Sequence, residues 1–299
     1  MTAAKIALLE DRGAVSVTGE DAAKFLDNII SNDMGLLDTQ NAIFAGLLSP
    51  QGKILFEFFV VKSADGYLLD VAKSQVMALI QRLNMYKLRA NVAIDDGAIF
   101  FTLLTLWGAD AASHGETKRS VGFDDPRALG LGRRIFADSR FSADIANATN
   151  GLGHSADDYH AHRIALGVPE GGRDYAFGEL FPHEALFDQL HGVSFTKGCY
   201  VGQEIVARME HRGTAKKRII RVTGSAPLPP MGTDIQAGEV VIGAMGSSAG
   251  PQGLALLRLD RVAEFAAKGV ALTAGGVTIT PDLSDVARLM PQSPDPVVL

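Results

Sequence analysis

Phe195-Thr196-Lys197-Gly198-Cys199-Tyr200-Val201-Gly202-Gln203-Glu204-Ile205-Val206-Ala207-Arg208 contains the only cysteine of a 299-residue chain. Cys199 stands between a glycine and residues that read as the first turn of a helix running to Glu210, with Lys197 two positions before it. A helix N-terminus and a nearby cation both favour thiolate over thiol, so the setting reads as a reactive sulfur. Gly198 and Gly202 remove side chains beside it, which lets another molecule approach the backbone. Gln203 and Glu204 place polar atoms in the same turn. The plainer reading is a small thiol that fills core space. A packing thiol, however, requires neither the glycines nor the charged neighbours.

A single cysteine excludes an intrachain disulfide, a Cys-rich zinc module and a self-contained iron–sulfur site. With 28 Lys and Arg against 34 Asp and Glu, the formal charge is −6. That balance argues against a general nucleic-acid coat, and direct nucleic-acid binding is not expected. Apolar residues at 47% and charged residues at 21% suit a soluble globular chain and exclude disorder. No apolar run approaches the roughly 18–20 residues of a membrane span. The first residues are too short in apolar length for a signal peptide, so a cytoplasmic protein is expected. A chain of 299 residues calls for at least two domains.

Strands are expected at 6–9, 14–18, 43–48, 54–62 and 67–71, with Ser49-Pro50-Gln51-Gly52 as hairpin chemistry. A helix is expected from 19 to 31. Residues 73–88 predict an amphipathic helix with Val76, Leu79, Ile80, Leu83 and Leu88 on one face. Further strands at 92–94 and 99–106 complete an α+β sandwich. Helices follow at 155–166, 182–190 and 199–210. From Lys216, short β runs punctuated by Pro and Gly predict a small β-barrel. Residues 291–299, with three prolines, read as a loose tail.

The Cys199 run resembles the signature of the YgfZ family of folate-binding proteins, which maintain iron–sulfur enzymes and include mitochondrial iron–sulfur assembly factors. Those proteins are similar in fold to the glycine-cleavage T-protein, a tetrahydrofolate-dependent aminomethyltransferase. Weaker segments support the resemblance in the family's order. They are Val17-Thr18-Gly19-Glu20-Asp21, Ser31-Asn32-Asp33, Ser49-Pro50-Gln51-Gly52-Lys53-Ile54, Tyr86-Lys87-Leu88-Arg89, Arg163-Ile164-Ala165-Leu166-Gly167-Val168-Pro169 and Pro182-His183-Glu184-Ala185.

The resemblance implies an α+β fold of three domains in a ring. Residues 1–48 with 142–215 would form a discontinuous folate-binding domain, 49–141 an inserted ferredoxin-like domain, and 216–299 a C-terminal β-barrel. It implies tetrahydrofolate as ligand, with Tyr159 lining the pocket, and Asp33, Tyr200, Gly202, Gln203, Glu204 and Arg208 as candidate contacts. Cys199 and Lys197 would carry the chemistry. The family's second pocket aromatic falls on Arg12, and the paired aspartates of T-proteins fall on Phe56 and Glu57. The T-protein glutamate that holds the pterin has no counterpart in Ala128-Leu129-Gly130-Leu131-Gly132-Arg133-Arg134-Ile135.

Three functions compete. The favoured one is a folate-binding accessory factor for assembly or repair of 4Fe-4S proteins, with iron–sulfur assembly proteins and 4Fe-4S client enzymes as partners. One thiolate cannot hold a cluster that normally takes four, so a partner must share it. By the resemblance, clients include radical-SAM tRNA thiolation enzymes, which would make any tRNA-modification phenotype indirect. The alternative is a tetrahydrofolate-dependent aminomethyl- or methyltransferase, against which Phe56 and Glu57 argue. The third is a cysteine hydrolase with His183, His191 or His211 as base. The basic cluster Arg208, Arg212, Lys216, Lys217, Arg218 and Arg221 reads as a solvated helix end and strand, with a polyglutamyl tail, RNA or an acidic protein partner as the alternative occupants. His160-x-His162 would point its rings about 200° apart on a helix, so no metal site is expected. Gly151-x-Gly153-x-x-Ala156 lacks the βαβ frame of a dinucleotide site.

Overall fold

Two five-stranded sheets and a closed barrel carry the chain in a computed structural model that describes residues 4–108, 120–140, 152–212 and 215–290. The expected proline-rich tail and Gly151 lie outside the described residues. By packing, the chain forms two compact units, 1–48 with 55–159 and 190–201, and 49–54 with 160–189 and 202–299.

The first unit begins with strands β1 (Lys5–Leu8) and β2 (Arg12–Thr18) and helix α1 (Ala22–Ile29). It continues with β3 (Ala42–Leu48), β4 (Ile54–Ser63), β5 (Gly66–Ala72), α2 (Val76–Lys87) and β6 (Ala93–Asp96). Next come β7 (Phe101–Trp107), β8 (Ser120–Asp124), β9 (Arg133–Asp138) and β10 (Leu152–Gly153). One sheet has the order β3-β4-β5-β2-β6 and the other β10-β1-β7-β9-β8. β3 and β4, on either side of the boundary expected at residue 49, are neighbours in one sheet.

Alternation divides the first sheet into two faces. Val15 and Val17 of β2, Phe56, Phe58 and Val60 of β4, and Leu69 and Val71 of β5 pack with α1 and α2 in one core. Leu79 and Leu83 are fully buried there, each contributing about 1.5–3 kcal/mol by removal from water. Leu88 leaves the face expected for it: it follows the last helical residue at φ 46° and is 89% exposed. The opposite face carries Arg12, Phe59 and Asp70, which meet Phe123 and Arg134 of the second sheet.

The second unit holds most of α3 (Ala156–Ala165), then α4 (Gln203–Arg212) and the barrel. The barrel comprises β11 (Lys217–Gly224), β12 (Asp234–Ala237), β13 (Val240–Ala249), β14 (Gln252–Arg258), β15 (Leu272–Ala274) and β16 (Val277–Pro281). Its order, β11-β14-β13-β12-β15-β16, closes without an open edge. Helices α5 (Leu259–Ala267) and α6 (Leu283–Leu289), which turn-rich composition concealed, interrupt and end it.

No helix forms at 182–190, contrary to the sequence expectation. Leu186 takes φ 65°, where an α-helix cannot continue, and Arg218 takes the His183 carbonyl at 2.6 Å. Arg163 organises the same unit. It is fully buried and donates to Asp174 at 2.7 Å, to the Val168 carbonyl at 3.0 Å and to Ser247 at 3.1 Å. No helix among the described residues is long and apolar enough to cross a membrane.

Candidate functional site

The cysteine segment is laid against the end of α1 by hydrogen bonds from residues far away in sequence. Ser31 Oγ donates to the Gly192 carbonyl at 2.6 Å and accepts the Gly46 N–H at 2.8 Å. Asn32 Nδ2 donates to the carbonyls of Phe44 at 2.8 Å and His191 at 2.7 Å. The Ser194 N–H donates to the Ser31 carbonyl at 2.9 Å. These bonds take up main-chain groups that burial would otherwise leave unsatisfied. The Ser31-Asn32-Asp33 stretch therefore acts as a clamp. Asp33 caps a 3₁₀ turn at Met34–Asp38 through the Gly35 N–H at 2.8 Å, which is the turn role its sequence position suggests.

Lys197 completes the clamp. Its side chain is 2% exposed. The ammonium donates to the carbonyls of Asp27, Ile30 at 3.2 Å and Asn32 at 2.8 Å, and to Asp27 Oδ1 at 3.1 Å. Four oxygens surround three N–H groups, so this ammonium holds the loop through its full set of donors. Tyr200 is buried, its ring 5.6 Å from the Lys197 ammonium, and burial pushes its phenol up to about 12.

Between these two anchored residues Cys199 is exposed. A Cβ added at Gly198 would meet nothing within 4 Å, so the approach on that side is open. The helix starts four residues after the cysteine, at Gln203, and not at the cysteine itself. Gly202, at φ 83°, makes the turn into α4. Within the second unit Gly52, at φ 78°, lies so close to that helix that a Cβ there would stand 2.9 Å from Ile205 Cβ. Gln203 is half-buried, and Glu204 and Arg208 are exposed and paired at 3.4 Å along the helix.

Tyr159, the ring expected to line the folate pocket, packs in the core of the first unit. Tyr159 is fully buried, edge-on to Trp107 at 5.5 Å, with its hydroxyl accepting from Arg134 at 3.4 Å. A ring without exposed surface offers a pterin no stacking face. Arg12 Nε donates to Asp70 Oδ1 at 2.6 Å, and Arg134 joins Asp70 at 2.7 Å to Asp125 at 3.2 Å. Arg127 binds Asp125 with two parallel bonds of 3.0 and 2.8 Å. The guanidinium of Arg134 lies over Phe59 at 4.5 Å and that of Arg127 over the same ring at 4.8 Å. Burial alone would raise the Asp125 carboxyl, but Arg127 and then Arg134 hold it below the ordinary carboxylate value. Sequence reasoning named Arg12 and Arg134 only as departures from a family pattern. It missed Asp70, Asp125 and Arg127, whose pairing spans several strands.

Within the first unit, Cys199 and His191, one of the histidines offered as a base, share no hydrogen bond. His183 Nε2 instead meets Glu210 Oε2 at 2.9 Å. His183, Asp188 and Glu210 bring metal-ligand atoms within reach of one another. Arg218 already donates to Asp188 Oδ1 at 2.6 Å, and this cation opposes a metal ion there. His160 Nδ1 accepts from Arg163 Nε at 3.1 Å on α3.

Comparison with known proteins gives these features a context. Residues 216–289 match the family of the CAF17 C-terminal beta-barrel domain. The mitochondrial iron–sulfur cluster assembly factor IBA57 of Homo sapiens is 30% identical over 85% of this chain and 77% of its own length. The Mus musculus protein of the same name is 31% identical with the same coverage. The homologue from Mycosarcoma maydis is 32% identical over 72% of this chain, which spans 56% of that longer relative. In structure, the chain is similar to glycine cleavage system aminomethyltransferase T from Bartonella henselae, with a TM-score of 0.74 at 16% identity over 98% of this chain and 88% of that one. The fold is therefore the T-protein fold, ending in a six-stranded barrel. By identity and by the share of the human and mouse proteins it covers, the chain belongs to the IBA57 family of iron–sulfur cluster assembly factors.

Proposed function

We propose that this chain is an accessory factor for assembly or repair of 4Fe-4S proteins, and that Cys199 is the atom it contributes. One observation carries the reading. The only sulfur of a cysteine in the chain is exposed on a segment whose flanking residues, Lys197 and Tyr200, are buried. A fixed backbone with a free thiol suits transient ligation or thiol exchange, because little ordering remains to be done when a partner arrives. A cluster of four irons takes about four thiolates, so the remaining ligands come from the partner or client. The names of the family's mitochondrial members support the same role.

Tetrahydrofolate has a lesser place in this proposal. The fold is that of an aminomethyltransferase, but Tyr159 presents no face to a pterin, Arg12 is tied to Asp70, and Phe56 and Glu57 replace the paired aspartates. Tyr159 does not fit the contact expected of it, and no step of the proposed role runs through folate. The transferase alternative loses its support for the same reason.

The deciding experiment replaces Cys199 with Ser in the full chain. Activity of 4Fe-4S enzymes is then measured in cells, with thermal unfolding of the purified variant as control. The expected result is lost client activity at unchanged melting temperature. Full client activity in the variant overturns the role of Cys199.

A further inference from the structure

Inside the first unit, α1 and the end of α2 enclose a pocket of about 300 Å³. That is the small end of the range for small-molecule sites, which starts at about 300 Å³. Part of its lining is apolar. Phe25 and Ile29 of α1 are buried there, and Tyr86 of α2 is half-buried.

The rest of the lining is mostly cationic. Lys24, Lys87 and Arg89 all contribute to it. None of the three forms an ion pair among the described residues. Asp21 is the one acid in the lining, and it accepts the Asn91 N–H at 2.7 Å. Asp27, one turn after Lys24, is held by Lys197, and Glu20 lies outside the lining. Three cations against one acid is a local positive surplus on a chain of net charge −6. The dipole of α2 accounts for Lys87 and Arg89, which stand at its C-terminal end. It does not account for Lys24, which stands in the first turn of α1, where a helix dipole disfavours a cation.

We infer that this pocket binds a small organic phosphate. The phosphate sits on Lys24, Lys87 and Arg89, and the apolar body of the ligand lies against Phe25, Ile29 and Tyr86. A phosphate monoester carries a charge of about −1.5 to −2 at neutral pH, which matches the surplus of two positive charges. A single carboxylate would leave one of them uncompensated. Arg89 offers a planar fork of donors to phosphate oxygens, and the two lysines act as point charges. The ring of Tyr86 favours an aromatic body. The site uses neither Lys197 nor Cys199, so it stands or fails apart from the proposed function.

Calorimetric titration of the full chain with naphthyl phosphate, naphthoate and inorganic phosphate tests the assignment. The double variant Lys24→Gln with Arg89→Gln alters two exposed side chains, and thermal unfolding checks that it folds. We expect naphthyl phosphate to bind saturably, and naphthoate and inorganic phosphate to bind about tenfold more weakly, one lacking charge and the other the apolar body. We expect the double variant to lose about tenfold or more in affinity for naphthyl phosphate at unchanged melting temperature. Equal affinity for naphthyl phosphate and inorganic phosphate shows charge attraction only and overturns the proposal. Full affinity in the double variant overturns it too. Tighter binding to phosphatidic acid vesicles than to naphthyl phosphate assigns the cations to a lipid surface and overturns the soluble ligand.

Discussion

The Lys197 ammonium donates to the Asn32 carbonyl at 2.8 Å across 165 residues of chain. That bond ties a segment after the last residues of α1 to the loop that presents the cysteine, and it converts two short sequence motifs into one structural unit. Replacing Lys197 with Met leaves three carbonyls and Asp27 without their donor. Because Asp27 is partly exposed, the loss is expected to be about 2 kcal/mol, below the range for fully buried pairs. Urea unfolding reads the stability change, and faster cleavage in the 190–201 segment by a protease reads the loosened loop.

Cys199 is expected to react with a maleimide in the native chain as fast as an unhindered thiol does. Its rate should not follow denaturant below the unfolding transition, since no opening step is needed. Cys199→Ser is expected to change stability by less than about 0.5 kcal/mol, as for other exposed positions. A thiol that reacts only on unfolding would contradict the exposed placement.

The Arg12–Asp70–Arg134 group sets a third test. Asp70→Asn leaves two buried guanidinium groups short of charge and is expected to cost about 3–5 kcal/mol. A double-mutant cycle with Arg134→Met separates the pair from packing, and a coupling near zero would show that the ion pair contributes nothing beyond volume.

Two groups give a pH dependence with a definite sign. The Asp125 carboxyl is held below its ordinary 3.8 in the folded chain. Its contribution is therefore complete above that value and is lost as pH falls below it, through the folded-state value. The Tyr200 phenol moves the other way, from 10.0 to about 12. Its contribution is complete below pH 10 and is lost between pH 10 and 12. Tyr200→Phe is expected to flatten the alkaline limb of a stability profile and leave the acid limb in place.

Gly52→Ala is expected to destabilise the chain by more than about 1 kcal/mol. A Cβ there meets Ile205 at 2.9 Å, and φ 78° is unfavourable for alanine. Chemical denaturation of the variant measures it, with Gly238→Ala as the comparison, where φ is also positive but nothing lies within 4 Å.

The sequence by itself determined the local elements and the importance of one segment. Strands at β3, β4, β5 and β7, helices α2 and α3 and the closing barrel follow from apolar periodicity and from Gly and Pro punctuation, which act within a few residues of each other. The isolated cysteine beside Lys197 and two glycines marked the segment, although its pattern placed Cys199 at a helix start that lies at Gln203, and the motifs marked the family.

Tertiary structure alone decided what each marked residue touches. Lys197 is a clamp because its acceptors lie on the last turn of α1 and the residues just after it, and Tyr159 is core because it packs on Trp107 and Arg134. The turn at 182–190 replaced a helix because a distant guanidinium, Arg218, takes a carbonyl there. Leu88 left the buried face because the chain reverses past the end of α2. In each case the deciding partner is far away along the chain. Burial and hydrogen bonding act through space, and a linear pattern carries no record of which distant group will meet which.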